Sequence, residues 1–254
     1  MIAEKRGSRE AAGILIVGAH YDTVEGTPGA DDNGIAVAGI LALAEILQGS
    51  QFEHTIRLVA WDLEEQQGFG RCLLGSRQMA ENIARAGENI LGVVCLEMIG
   101  MCDRNPGTQK AIPGLRWFAP DVFQKVKERE WRGDFIAAVG NRIGGRLSTE
   151  FARCAESQHL PTVELVNKGL IRLLRDLRRS DHAPFWDAGI PAIMVTDTSN
   201  FRSVFYHTAM DRMEMIDFEF AAKVILATAN CATNCAILQV ASIPDSAELV
   251  AVAS

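Results

Sequence analysis

The stretch from Gly13 to Gly34 carries residue types that bind divalent cations. His20 and Asp22 follow a short apolar run that predicts a buried strand. Asp31 and Asp32 follow a loop rich in Gly and Pro, where a helical pattern begins. Imidazole nitrogen and carboxylate oxygen are ligands that zinc prefers. In the alternative interpretation, His20 is a hydrogen-bonded core histidine and the two acidic residues only favour the start of a helix.

Further acidic residues and a histidine extend this pattern along the chain. Glu64 and Glu65 follow a second predicted strand, Glu97 follows a third, and His207 lies in a late loop. Sites in open α/β sheets form outside the carboxyl ends of strands, and carboxylates crowded there repel each other unless a cation neutralises them. Two adjacent glutamates can also divide their roles, because one can bind metal while the other moves a proton.

Strands and helices alternate in the pattern of apolar residues. We expect strands over residues 2–4, 14–19, 55–61, 90–96, 135–139, 162–166 and 192–196, and helices over 33–48, 76–86, 117–131, 148–158, 180–188 and 217–240. This alternation favours an α/β fold of three layers, α/β/α, around a mixed, mostly parallel sheet. No repeat or shift in composition marks a second domain, so we expect one domain over 1–240 and a mobile tail over 241–254.

Composition narrows the class of protein. The chain has 254 residues, is 48% hydrophobic and carries a formal net charge of -7, which argues against nucleic acid as a partner. We expect no transmembrane segment, since no run of about 18 apolar residues occurs. The charged N-terminus is unlike a signal peptide, which makes the cytoplasm the default compartment and secretion an alternative for a truncated chain. We expect all six cysteines to be reduced, with Cys231 and Cys235 as buried thiols.

Six segments, taken together, resemble the M28 family of zinc aminopeptidases. They occur in the family's order and are AHYDT (19–23), GADDNG (29–34), EEQQG (64–68), LEMIG (96–100), SDHAPFWDAGIPA (180–192) and YHTAMD (206–211). The resemblance implies an exopeptidase with two divalent ions, zinc by preference. It would hydrolyse the N-terminal peptide bond of a peptide with a free N-terminus through a zinc-activated water.

The resemblance also implies a role for each residue of the motifs. His20 and Glu97 would bind one zinc, Glu65 and His207 the other, and Asp32 would bridge both. The remaining roles concern residues that do not bind the metal. Asp22 would orient the imidazole of His20 as part of the catalytic set, Glu64 would be the general acid and base, and Asp181 would lie behind the site or on the substrate side.

Two departures from the family's pattern lead to further expectations. The family usually has Asp at the position of Glu97, so we expect the metal site of His20, Asp32 and Glu97 to be the weaker one and to accept manganese or cobalt. Family members also carry a helical segment before the first strand, which predicts exposed apolar surface and self-association here.

Several chemically capable residues have simpler interpretations. Asp31 is expected to support the helix start, His54 and His159 to be core or surface residues, and His182 to be structural or substrate-side. The arginines at 172, 175, 178 and 179 are expected to form a solvated face, and the tryptophans at 61, 117, 131 and 186 to lie in the core. Two rival functions stay open, a glutaminyl cyclase that uses one zinc and a binding module without metal on the same fold.

Overall fold

A computed structural model describes residues 1–9, 12–65, 74–167 and 174–237. Seven strands form one sheet in the order β1-β3-β2-β4-β7-β5-β6. Their bounds are β1 Ile2–Lys5, β2 Ile14–His20, β3 Thr55–Trp61, β4 Ile90–Glu97, β5 Ile136–Asn141, β6 Thr162–Asn167 and β7 Ala192–Thr196. The sequence patterns predicted each of these strands to within two residues of both ends.

The sheet is mixed and mostly parallel. Strand β2 pairs in parallel with β3 and β4, β4 pairs in parallel with β7, and β5 pairs in parallel with β6. The pairs β1·β3 and β5·β7 are antiparallel. The central strands are almost uniformly apolar because helices cover both faces of the sheet. The predicted fold class is confirmed.

Seven α-helices surround the sheet in the described chain. They are α1 Ile35–Leu47, α2 Gly75–Ala86, α3 Leu115–Phe118, α4 Pro120–Glu128, α5 Gly145–Ser157, α6 His182–Asp187 and α7 Phe218–Ile237. Helices α1, α5 and α7 pack on the face that receives Leu15 and Val17 of β2. The other four helices pack on the face that receives Ile16, as the alternation of side chains along a strand requires.

Three details of the predicted elements are wrong. The segment 117–131 is not one helix, because the extended backbone of Ala119 (φ -144°) separates α3 from α4, which starts with Pro120 at its first position. Trp117 is 80% exposed and therefore not a core residue. Helix α1 begins at Ile35, because residues 30–34 form a separate five-residue turn of π-helical type that carries the acidic pair.

Helix α7 is the one described helix that is long and apolar enough to cross a membrane by length and composition. However, 56% of that apolar stretch is buried inside the domain, where it packs against α1 and α5. It therefore has the character of a core helix. The expected tail over 241–254 lies outside the described residues. Self-association stays a prediction, and Leu41 and Ile46 are exposed apolar side chains on the outer surface of α1.

Candidate metal centre

The parallel strands β3, β2 and β4 are neighbours and deliver their terminal residues to one edge of the sheet. His20 is the last residue of β2 and stands in register with Trp61, the last residue of β3. Glu97 is the last residue of β4, and Glu64 and Glu65 follow β3 by three and four positions. The sheet thus brings together side chains that are far apart in the sequence.

His20, Asp32 and Glu97 form the first group, which we call the strand group. The Nε2 atom of His20 lies 3.4 Å from Oδ1 of Asp32 and 3.3 Å from Oε2 of Glu97. All three residues are buried. His20 and Glu97 are the last residues of strands, so the hydrogen bonds of the sheet fix the backbone from which their side chains project.

Asp32, Glu65 and His207 form the second group, which we call the loop group. The Nε2 atom of His207 lies 3.1 Å from Oδ2 of Asp32 and 3.3 Å from Oε1 of Glu65. Asp32 therefore presents one carboxylate oxygen to each group. Glu65 and His207 are partly exposed as residues, and both lie on loops.

The unpaired atoms at the centre show that these residues fit divalent cations. In the described chain, His20 Nε2, Asp32 Oδ1, Glu65 Oε1 and His207 Nε2 are buried and lack a hydrogen-bond partner. Ligands of a tetrahedral zinc, with bonds of roughly 2.0–2.1 Å, stand about 3.3 Å apart. The distances within both groups, 3.1–3.4 Å, match that spacing. Buried polar atoms without partners are costly, so a cation on each group would remove that cost.

Asp22 connects the two groups through three hydrogen bonds. Nδ1 of His20, on the opposite side of the ring from the metal-facing nitrogen, donates to the backbone carbonyl of Asp22 at 3.1 Å, while the carboxylate oxygen Oδ1 of Asp22 lies 3.5 Å away. The same carboxylate accepts the backbone N–H of Glu64 at 3.2 Å and that of Glu65 at 2.9 Å. Asp22 thus positions the His20 ring through its backbone carbonyl, and the start of the loop that bears both glutamates through its carboxylate.

Asp211 clamps the turn that carries Asp32. Its carboxylate accepts the backbone N–H of Asp31 at 2.8 Å and that of Asp32 at 3.1 Å. Asp211 is buried and follows His207 by four residues in the same loop, so it ties two ligand-bearing segments together. Sequence reasoning missed this residue. Its place inside the YHTAMD segment was the available signal.

Asn33 and Ser180 also support the ligands and were missed. The side chain of Asn33 donates to the carbonyl of Leu96 at 3.0 Å and accepts the N–H of Met98 at 3.0 Å, which fixes the backbone on both sides of Glu97. The hydroxyl of Ser180 donates to Oε2 of Glu97 at 2.6 Å. This bond holds the carboxylate of the longer side chain beside His20.

Burial and like charge dominate the electrostatics of the acidic residues. Burial, followed by the nearby carboxylate of Glu97, raises the pKa of Glu64 well above its usual range. Burial and Asp32 raise the pKa of Glu65 to about 8. Burial also raises the pKa of Asp32, but His20 and His207 outweigh it and lower that pKa overall. Such crowding is the condition that a bound cation relieves.

Asp181 does not belong to either group. It is fully buried, and burial raises its pKa to about 7. Asp31 accepts the N–H of Gly100 at 2.8 Å and is also outside both groups. His182 is buried, donates Nε2–H to the carbonyl of Leu177 at 2.9 Å, and has a pKa that burial lowers to about 4.

A cleft of about 930 Å³, including its opening to solvent, adjoins the centre. Asp32, Glu64 and Glu97 line one part of it. Its largest part is apolar and is lined by Ile112, Leu115, Val122, Val126, Trp131, Phe135, Val139, Val163, Leu165 and Met194. Two expectations are met only in part. Arg179 is exposed but also lines the cleft, and Trp131 packs against the core as a partly buried residue but also lines the cleft.

The remaining expectations for histidine and cysteine agree with the structure. His54 is buried, and its Nδ1 accepts the N–H of Gly13 at 3.0 Å, while His159 is exposed. The five cysteines in the described part of the chain are free thiols, and Cys231 and Cys235 are buried. Cys72 and Arg172 lie outside the described residues.

Comparison with known proteins agrees with the family resemblance of the motifs. The model of Peptidase family M28 matches residues 1–232, and the chain belongs to this family. The YfbL protein of Escherichia coli (strain K12) is 34% identical over 223 residues, which are 84% of this chain and 64% of that protein. A probable zinc metalloprotease of Leptosphaeria maculans is 28% identical over 246 residues, 88% of this chain and 54% of the relative. The chain thus spans between half and two thirds of these relatives.

Solved structures share the fold. The LapA aminopeptidase of Legionella pneumophila matches with a TM-score of 0.67 and 21% identity, over 90% of this chain and 53% of that chain. The zinc aminopeptidase BSAP of Bacillus subtilis matches with a TM-score of 0.65 and 20% identity, over 94% of this chain and 50% of that chain. A glutaminyl cyclase from an Acidobacteriales bacterium matches with a TM-score of 0.60 and 17% identity, over 92% of this chain and 72% of that chain. The chain thus belongs to a peptidase family, and one of the relatives is named a probable zinc metalloprotease.

Proposed function

We propose that this chain is an aminopeptidase that uses two divalent cations, zinc by preference, to hydrolyse the N-terminal bond of peptides. One observation carries the proposal. Two complete ligand groups share Asp32 through different oxygens, at spacings that suit zinc. The strand group of His20, Asp32 and Glu97 would hold one ion, and the loop group of Asp32, Glu65 and His207 the other.

The bound ions would polarise the scissile carbonyl and make a water more acidic. Glu64 would perform the proton transfers, because it follows the strand that brings Glu65 to the metal yet is outside both ligand groups. It accepts a proton from the attacking water and donates it to the leaving amine as the C–N bond breaks.

The cleft supports the choice of an exopeptidase. A protonated or metal-bound amino terminus would be stabilised by the carboxylates at the acidic part of the cleft, near Asp32 and Glu97. The side chain of the N-terminal residue would then enter the apolar part. We therefore expect a preference for large apolar N-terminal residues such as Leu, Met and Phe over Gly, Asp and Lys.

A panel of substrates on the zinc-loaded chain tests this proposal. We expect hydrolysis of leucine p-nitroanilide and none of its N-acetyl derivative, which lacks a free amino terminus. A peptide with N-terminal Gln separates the rival enzyme, because a glutaminyl cyclase releases ammonia and leaves the peptide bonds intact. Turnover of the acetylated substrate, ammonia release without cleavage, or no turnover with both ions bound would each contradict the proposal.

A further inference from the structure

Arg179 places a positive charge at the acidic centre. It immediately precedes Ser180, whose hydroxyl binds Glu97 of the strand group at 2.6 Å. Its side chain turns toward the loop group, where Nη2 donates to the hydroxyl of Tyr206 at 3.0 Å. The ring of Tyr206 stacks on that of His207 with centroids 3.6 Å apart. The backbone of Arg179 is thus connected to the strand group through Ser180. Its side chain is connected to the loop group through Tyr206.

The guanidinium is held in place but retains capacity to bind. Nη1 donates to Asn200 at 3.2 Å, and the guanidinium carbon lies 5.8 Å from the ring centroid of Tyr206. These hydrogen bonds use two of the five N–H groups of an arginine. Asp176 lies 3.6 Å away, and both side chains of this pair are about one-third exposed, so the pair is weak. Arg179, Asn200 and Tyr206 all line the cleft.

The cleft therefore offers two contacts to a short peptide, the metal centre for its amino end and the guanidinium of Arg179 for its carboxyl end. A short peptide carries both of these end groups within a small distance. In a di- or tripeptide, the C-terminal carboxylate follows the scissile carbonyl by only one or two residues, each of which spans at most about 3.3–3.6 Å. A planar guanidinium binds a carboxylate through two parallel hydrogen bonds.

We infer that Arg179 binds the C-terminal carboxylate of the substrate, and that di- and tripeptides with a free carboxyl end are the preferred substrate class. The inference rests on the proposed aminopeptidase function and adds a specificity-determining residue to it. Lys110 also lines the cleft, and both residues are exposed. Arg179 differs from it in having neighbours that anchor the guanidinium beside both ligand groups.

The test compares kcat and KM for Leu-Gly, Leu-Gly-Gly and their C-terminal amides. We expect the free acids to be cleaved about 10- to 100-fold more efficiently than the amides, since hydrogen bonds to charged groups have that effect. The difference should lie in KM, because the contact exists before and during the reaction. Arg179→Gln should reduce the ratio of acid to amide to about one, and Arg179→Lys should restore part of it.

Arg178→Gln is the matched control. Arg178 is the adjacent residue, pairs with Asp187 at 2.5 Å and does not line the cleft, so this variant should retain the preference for free acids. Equal cleavage of acids and amides by the unmodified chain would overturn the inference. So would a preference that survives Arg179→Gln or disappears with Lys110→Gln alone.

A binding measurement separates this inference from the proposed function. Calorimetry of Leu-Gly and Leu-Gly-amide with the zinc-loaded Glu64→Gln variant does not depend on turnover. Tighter binding of the free acid, lost when Arg179→Gln is added, supports the inference even if the chain cleaves no peptide. Equal binding of both ligands overturns it even if the anilide is hydrolysed.

Discussion

The two ligand groups share Asp32 but are built differently. In the strand group, His20 and Glu97 end neighbouring stretches of the sheet and are buried. In the loop group, the side chain of His207 is 28% exposed, and its backbone has a φ of +56°. A metal site depends on how firmly its ligands are held, so the sheet gives the strand group the advantage.

This comparison leads to a prediction opposite to the one drawn from the sequence. Glu97 carries one methylene more than the family's usual Asp, which predicted a weak strand group. In the structure, the hydroxyl of Ser180 fixes its carboxylate, and its Oε2 lies 3.3 Å from His20 Nε2, the same spacing as Glu65 from His207. The extra length is therefore accommodated by the fold, and the comparison now favours the loop group as the weaker site.

The largest effect is expected from Asp32→Asn, which affects both groups at once. The amide keeps the shape but lacks the negative charge and offers only one oxygen, so one group would lose its ligand atom and the other its charged ligand. We expect loss of both zinc ions and a fall in kcat/KM of roughly 100- to 1,000-fold or more. Zinc content by mass spectrometry of the metal checks this. Retention of two zinc ions would show that Asp32 is not shared.

When metal is removed, the loop group should lose its ion before the strand group does. Dialysis of the unmodified chain against a mild chelator should leave one ion, and activity should return when a second is added. His207→Ala should retain the resistant zinc, whereas His20→Ala should retain only the labile one. The opposite pattern in these two variants would restore the order that the sequence predicted.

Asp211→Asn tests the clamp between the two groups. An Asn side chain would direct an N–H toward the N–H groups of Asp31 or Asp32, where the carboxylate now accepts two hydrogen bonds. We expect metal affinity to fall about 10- to 100-fold, as for other residues that hold ligands.

Asp217→Asn is the matched control for this prediction. Asp217 accepts the N–H of Phe220 at 2.9 Å near the start of α7. Asn keeps an acceptor for this N–H and loses the ion pair with Arg104 at 3.0 Å, so the free energy of unfolding should fall by about 1 kcal/mol or less, and metal affinity should be unchanged. Equal loss of metal affinity in both variants would show that Asp211 acts only through global stability.

The smallest effect is expected from Glu97→Asp. The shorter side chain would withdraw its carboxylate from Ser180 and His20, so the affinity of the strand group should fall by about tenfold. Zinc titration with a competing chelator measures this directly. Tighter binding by Glu97→Asp would instead support the expectation drawn from the sequence.

The sequence predicted the fold well wherever a local pattern decides structure. The strands β3 and β7 have the predicted bounds, because a short apolar run between two loops usually forms a buried strand. The break between α3 and α4 was missed, since helical spacing of apolar residues continues through Ala119 and Pro120. The exposure of Trp117 was missed for a related reason, because burial depends on what packs above a residue and not on its type.

The supporting residues of the site could not be predicted in the same way. Asp211 contacts backbone groups 179 and 180 positions away, and Ser180 contacts Glu97 at a separation of 83. No local pattern marks such a pair. The motifs predicted which residues bind metal. Only the structure shows which oxygen of Asp32 faces which histidine.

The adjacent glutamates offer the most direct test of the account. Zinc content and kcat should be measured together for Glu64→Gln and Glu65→Gln. If Glu64 moves the proton and Glu65 holds the metal, Glu64→Gln keeps about the zinc content of the unmodified chain and loses roughly 100- to 10,000-fold in kcat. Glu65→Gln should lose zinc from the loop group. Loss of zinc in Glu64→Gln, or full turnover with zinc bound, would contradict the account.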